Sequence, residues 1–240
     1  MQQLPLGISL KPDISFAGFI ASRNQQAVDS LQEGTKCGGT SFIFLWGNSG
    51  TGKTHLLHAA CRLADTQNQP SIYIPLSQAL EFSPDIFTDL DKFQLVCLDD
   101  VEQITRQQDW EQALFNLFNQ VRDKGTNLFI TSDCSPTALD ITLPDLASRL
   151  GWGLNYRLHP LTDDEKVEAL QKTAQERGMT LPDECVHYML KHCPRDMGTL
   201  LEILAQLDQA SLAAQRKLTI PFIHSQIAEF IATRRLQTQA

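Results

Sequence analysis

The sequence predicts a parallel α/β domain followed by a small all-α domain. Short apolar runs recur at Phe42–Trp46, Ile72–Pro75, Leu95–Leu98 and Leu128–Thr131, with a shorter one at Leu154–Leu158. Helical patterns lie between them. Strands buried on both faces read as unbroken apolar runs, and their alternation with amphipathic helices places helices on both faces of a parallel sheet. After Pro160 the strand pattern stops and only helical periodicity remains. The first run also opens directly into a glycine-rich loop, Gly47-Asn48-Ser49-Gly50-Thr51-Gly52-Lys53-Thr54, and then a helix. Strand, loop and helix in that order separate a phosphate loop from a chance match.

Taken in order, residues 1–12 carry little hydrophobic periodicity and read as a loose arm. The α/β domain is expected over 13–160 and the helical domain over 161–240. Phe16 and Phe19 lead into a helix from Asn24 to Leu31, and Gly38-Gly39 end that region. Leu56, Leu57, Ala59, Ala60, Leu63 and Ala64 follow the phosphate loop at helical spacing. The segment Ser77–Phe93 fits no element. Trp110, Leu114, Phe115, Leu117, Phe118 and Val121 form the best amphipathic pattern, closed by Gly125. A short apolar helix starts at Pro144. In the second domain Thr162-Asp163-Asp164-Glu165 is a capping box that opens a helix to Gly178. Further helices cover Pro182–His192, start near Pro194 with Met197, Leu200, Leu201, Leu204 and Leu207 on one face, and follow Pro221.

The bulk numbers narrow the function classes. A length of 240 residues suits one large domain or a core with a small second domain. A net charge of −8 repels duplex DNA on average, and Lys and Arg do not cluster beyond pairs such as Arg234-Arg235, which reads as a solvated helix end. No apolar stretch reaches the roughly 18 residues of a membrane span, and the N-terminus has no secretory pattern. The six cysteines are widely spaced with no C-x-x-C. That fits a reduced, cytoplasmic setting better than a disulfide framework or a zinc site. Cys97, inside an apolar run, reads as core.

The phosphate loop supplies backbone N–H groups and a helix N-terminus to phosphate oxygens. Lys53 is expected at the outer phosphates and the Thr54 hydroxyl at a magnesium ion. The run Leu95–Leu98 ends in Asp99-Asp100. Asp99 is expected in the magnesium shell and Asp100 beside an attacking water; the bland alternative is that both acids cap a surface strand. Asp133, after Leu128-Phe129-Ile130-Thr131-Ser132, faces the crevice at the carboxyl end of the sheet, where it senses the nucleotide or simply caps the turn before Pro136. Arg149, on the helix from Pro144, would serve as an arginine finger for a neighbouring subunit if it protruded. Arg195, read at a helix start, is placed to reach back to the nucleotide. In the arm, Gln3, Leu4, Leu6 and Ile8 form an extended pattern in which apolar side chains enter a groove and the Gln3 amide is hydrogen-bonded. Alone that is a weak signal, equally an ordinary tail.

The succession of phosphate loop, L-V-C-L-D-D, I-T-S-D, L-A-S-R-L-G-W-G and P-R-D-M resembles the AAA+ ATPases of the DnaA initiator clade, from Phe16 nearly to the end. The resemblance implies an AAA+ P-loop fold with a five-stranded parallel sheet and an α-helical lid. It implies phosphate contacts from the loop, Thr54 and Asp99 at magnesium, Asp100 at the water, Asp133 as sensor I, Arg149 as arginine finger in trans and Arg195 as sensor II. No helix-turn-helix domain is expected after the lid, and the short arm stands where the initiators have a self-association domain. Q-L-P-L-G-I is similar to the sliding-clamp-binding hexapeptide, with Pro5 and Gly7 as variations. Together with A-A-Q-R-K-L-T-I-P-F at 213–222, these features resemble the DnaA-homologous regulators of the clade. That implies ADP or ATP with Mg2+, and as partners the DnaA initiator and the DNA polymerase III sliding clamp. It implies no direct sequence-specific DNA binding, and a homodimer or higher oligomer is compatible with it. A helicase loader of the same clade and a non-enzymatic adaptor held by nucleotide are the alternatives.

Overall fold

The computed structural model describes residues 14–36, 42–79, 81–214 and 216–227. The arm with Gln3, Leu4, Leu6 and Ile8, Gly38-Gly39, and Arg234-Arg235 lie outside the described residues. Two compact units are formed, Met1–His159 and Pro160–Ala240.

In the first unit the elements run α1 (Gln25–Thr35), β1 (Phe42–Trp46), α2 (Lys53–Thr66), β2 (Ser71–Pro75), α3 (Leu76–Ala79), β3 (Leu95–Asp99), α4 (Gln108–Lys124), β4 (Asn127–Ser132), α5 (Pro144–Leu150) and β5 (Leu154–Arg157). All five expected strands form. The sheet order is β2-β3-β4-β1-β5 and every pairing is parallel. β1 lies between β4 and β5, with Phe44 beside Ile130 and Asn155.

Side-chain alternation divides the sheet into two cores. Ile43 and Leu45 of β1, Leu95 and Cys97 of β3 and Phe129 of β4 pack with Ala27, Val28 and Leu31 of α1 and Leu56, Leu57 and Ala60 of α2. Phe44, Val96, Leu98, Leu128 and Ile130 face the other way, onto Trp110, Leu114, Leu117, Phe118 and Val121 of α4 and Leu146 and Leu150 of α5. Each such large apolar side chain contributes about 1.5–3 kcal/mol by leaving water. Cys97 is therefore core, as its run implied.

Several boundaries differ from the sequence reading. α1 runs past Leu31 to Thr35, because Gly34 and Thr35 are also buried and the Thr35 hydroxyl donates to the Leu31 carbonyl at 2.7 Å. α4 ends where expected, with Gly125 left-handed at φ 76. The unplaced segment after β2 consists of α3 and two 3₁₀ turns, Pro84–Phe87 and Leu90–Lys92. Phe87 and Leu90 anchor those turns in the α4-side core. Such turns have no period to read.

The second unit contains α6 (Asp163–Glu176), α7 (Asp183–His192), α8 (Met197–Ala214) and a helical stretch at residues 220–227. The capping box forms. Thr162 Oγ1 accepts from Glu165 N at 3.3 Å and Glu165 Oε2 accepts from Thr162 N at 2.6 Å. Leu170, Val186, Met189, Leu200, Leu204, Leu207 and Ile223 fill the core. α8 begins at Met197, three residues after Pro194, because Asp196 Oδ1 accepts from Thr199 N at 2.8 Å and so caps the helix there. Arg195 thus lies ahead of the helix, not at its start.

Glu111 is fully buried on α4. Its carboxylate accepts from Arg106 N at 2.8 Å, Leu143 N at 2.9 Å, Thr142 N at 3.0 Å and the Thr142 hydroxyl at 2.6 Å. It therefore ties the segment entering α5 to α4. Burial pushes its carboxyl up, but these hydrogen bonds outweigh that and hold it below its ordinary value of 4.5. The depressed value means the carboxylate stabilises the fold above its unfolded pKa, and the contribution fades as pH falls through the folded one. Glu111→Gln turns an amide N–H toward these donors and should cost about 2–4 kcal/mol at neutral pH. Urea unfolding checks this: the gap from wild type should be full at neutral pH and narrow in acid.

Candidate functional site

The phosphate loop grows out of β1. Gly47 N donates to the Ser132 carbonyl at 3.2 Å, and Leu158 N donates to the Trp46 carbonyl at 2.7 Å. The loop is thus seated between β4 and β5 where the chain leaves the sheet. A Cβ on Gly47 would lie 2.7 Å from the Leu158 carbonyl oxygen. Gly52 is left-handed at φ 93, and a Cβ there would strike the Phe19 ring. Glycine is required at both places by space or by backbone. Gly52 also precedes α2 with no side-chain cap. The first N–H groups of that helix lack intrahelical partners and, with its dipole, suit phosphate oxygens. Lys53 is buried, and its Nζ donates to the Gly47 carbonyl at 2.7 Å. The ammonium is held inside the curve of the loop.

The acidic side gathers at the carboxyl ends of β3 and β4. Asp99 is buried, and its carboxylate receives the hydroxyls of Thr54 at 2.7 Å, Tyr73 at 2.7 Å and Thr131. Thr131 Oγ1 also accepts from Asp100 N at 3.0 Å. Asp100 is left-handed at φ 59, which turns the chain out of the strand. Burial, and then the charges of Asp99 and Glu102, push its carboxyl up to about 6, while Lys53 pulls the other way. Burial likewise raises Glu102, whose carboxylate accepts from Asp133 N at 3.3 Å. Thr54 Oγ1 and Asp99 stand 2.7 Å apart as an oxygen pair suited to a hydrated hard cation. The uncapped helix start, buried ammonium and acidic pair therefore fit a nucleotide polyphosphate with magnesium.

The remaining expected site residues fall in different places. Asp133 is exposed just past β4, with its backbone on Glu102. Arg149 does not stand free. Its guanidinium carbon lies 4.3 Å from the centroid of the Trp152 ring and 5.8 Å from that of Phe118. Phe118 in turn packs edge-on against Phe42 at 4.9 Å, at the amino end of β1. The phosphate loop leaves the carboxyl end of the same strand. Four strand steps separate the two ends by about 13 Å, so Arg149 sits at the opposite end of β1 from its own chain's phosphate loop. In the second unit Arg195 pairs with Asp163 at 3.3 Å, and its Nε donates to the Leu190 carbonyl at 3.2 Å.

The sequence reading missed Tyr73, Thr131 and Glu102 as parts of the acidic site. Tyr73 reaches Asp99 diagonally across β2 and β3, in a register where it pairs with Cys97. Only the register brings the two together. Thr131 stood in the quoted run and looked like an ordinary β-branched strand residue. Phe19 leads into the first helix in the sequence reading, and the closeness of its ring to Gly52 has no sequence signal.

Comparison with known proteins agrees with this architecture. A family model for the bacterial DnaA ATPase domain matches residues 10–157, and one for the Hda lid domain matches residues 163–227. Among solved structures, domain III of the Thermotoga maritima replication initiation protein DnaA has a TM-score of 0.76 at 22% identity, over 93% of this chain and 99% of that one. AMPPCP-bound DnaA from Aquifex aeolicus gives 0.67 at 23% identity, covering 82% and 67% of the two chains. The Thermotoga maritima RuvB branch-migration motor gives 0.66 at 15%, covering 91% and 72%. With a nucleotide-type loop on this sheet and both family models matching its two units, the chain belongs to the bacterial DnaA family of AAA+ modules, with a lid of the Hda type, and is a replication-initiation-related AAA+ protein.

Proposed function

We propose that this protein is a negative regulator of chromosomal replication initiation. It holds ADP in its own phosphate loop, docks on the DNA-loaded sliding clamp through Gln3, Leu4, Leu6 and Ile8, and speeds hydrolysis of ATP held by a neighbouring DnaA. The observation that carries this reading is the placement of Arg149 at the end of β1 opposite the phosphate loop. A guanidinium so placed serves another molecule's nucleotide better than its own. The lid of the Hda type points to a regulatory branch of the family.

In the chain's own site, Lys53 and the start of α2 bind the phosphates, and Thr54 and Asp99 hold the cation's oxygen shell. Magnesium, when bound, neutralises phosphate charge. Asp133, just past β4, reports which nucleotide is present. On the partner, Arg149 supplies positive charge where the γ-phosphate departs, a contribution worth roughly 10³–10⁵ in rate.

One observation favours a second reading, a helicase loader that hydrolyses ATP in its own site. Asp100, pushed up to about 6, is suited to accept a proton near neutral pH. Strong ATP hydrolysis stimulated by single-stranded DNA, with helicase binding and no clamp binding, would decide for it.

Arg149→Ala should lower DnaA-ATP hydrolysis, measured with clamp loaded on DNA, by at least about a hundredfold while clamp binding persists. Retained stimulation removes the finger role. Changing Gln3 and Leu4 together to Ala should abolish clamp capture without altering nucleotide binding. Lys53→Ala should weaken nucleotide binding in a calorimetric titration by at least about tenfold; unchanged affinity would contradict the phosphate assignment.

A further inference from the structure

We propose that Trp152 is a positioning residue for Arg149, holding the guanidinium by its ring face so that its donors stay uncommitted to any carboxylate and remain for an anionic oxygen of the partner's nucleotide. The inference rests on Arg149 acting in trans.

Four observations point to this. The guanidinium carbon lies 4.3 Å from the Trp152 centroid, well within cation–π range, with Phe118 behind it at 5.8 Å. Among the described residues, Arg149 forms no ion pair with a carboxylate; its Nη1 is held inside, sealed from solvent, so the other N–H groups are the ones left for an incoming oxygen. A carboxylate would fix an arginine by occupying its donors. An aromatic face fixes the plane and leaves the in-plane N–H groups to an incoming oxygen. Lastly, the ring is itself anchored although Trp152 is 50% exposed. Trp152 N donates to the Arg149 carbonyl at 2.9 Å, and the ring meets Phe118 edge-on at 6.4 Å, continuing the Phe42–Phe118 pair.

An exposed tryptophan has a simpler use, as a docking contact. The two roles separate in kinetics. Positioning acts on the transition state and changes the maximal stimulated rate, whereas docking changes the concentration needed to reach half of it.

The test is a titration of DnaA-ATP hydrolysis with wild type, Arg149→Ala, Trp152→Leu and Trp152→Phe, in the presence of DNA-loaded clamp. Trp152→Leu should lower the maximal rate roughly five- to thirtyfold at an unchanged half-saturating concentration, the range expected for a desolvated cation–π contact. Trp152→Phe, which keeps a ring face, should recover much of the loss. In the isolated protein, the guanidinium NMR signal that Arg149→Ala removes should carry an upfield ring-current shift, abolished by Trp152→Leu and kept by Trp152→Phe. An unchanged or raised maximal rate, a change in half-saturation alone, or no ring-current shift overturns the proposal. If Arg149→Ala itself retains stimulation, the finger reading falls first. If it loses stimulation while Trp152→Leu does not, only the positioning role falls.

Discussion

The buried carboxylate of Asp99 is the interaction on which the nucleotide-type site depends. It receives hydroxyls from the first turn of α2, from β2 and from β4. One residue therefore fixes the helix start relative to three strand ends. A carboxylate buried this deeply is stable only when its lone pairs are occupied, and the three hydroxyls occupy them. Burial and the Asp99 charge raise Tyr73 in turn, so its proton stays on the phenol and the bond persists. The arrangement concentrates negative charge. Asp99, Asp100, Glu102 and Asp133 crowd one crevice, and the upward displacement of Asp100 and Glu102 records that crowding as well as their burial. Lys53 and the dipole of α2 are the positive elements opposite them. Such a crevice takes up polyphosphate better together with a cation than alone, because the phosphates add to a charge of the same sign.

The first unit is polar along β1. Acids and phosphate loop sit at its carboxyl end, and Arg149 on its aromatic support sits at the amino end. A strand of five residues is too long for an arginine at one end to serve a phosphate at the other. This separation gives the module two unlike faces, and a contact between unlike faces is by geometry a heterologous, head-to-tail one.

Sequence periodicity made the five strands, the two-unit division and the phosphate loop legible, because each depends on local pattern. Five consecutive apolar residues ending in glycine, or a Thr-x-x-Glu box, determine their structure within a few residues. Tyr73 and Glu111 were not legible for the opposite reason. Tyr73 meets Asp99 only through strand register, and Glu111 meets Thr142 and Leu143 across 31 and 32 residues of chain. Arg195 was misplaced by a few residues because Pro194 marks a permitted helix start, whereas the Asp196 side chain sets the actual one. The aromatic support under Arg149 was not legible either. Stacking on Trp152 requires a helix end followed by a turn whose path no period encodes.

That turn shows how a short helix can present a side chain with precision. α5 has seven residues, too few to hold itself together in water. Its geometry must come from its flanks. On the entering side, the Glu111 carboxylate gathers the backbone N–H groups of Thr142 and Leu143. On the leaving side, Gly153 is left-handed at φ 75, and a Cβ there would run into the Phe42 carbonyl oxygen. Gly151, two residues earlier, is right-handed at φ −74 and has only ordinary contacts around a Cβ position. Of the two glycines in S-R-L-G-W-G, only the second is required by the backbone. It lets the chain turn against β1 and enter β5, which leaves Trp152 on the outside of the turn, over the last residues of α5. The position of Arg149 is thus imposed from both ends, by a buried carboxylate before the helix and a glycine after it, each some distance along the chain from the guanidinium they place.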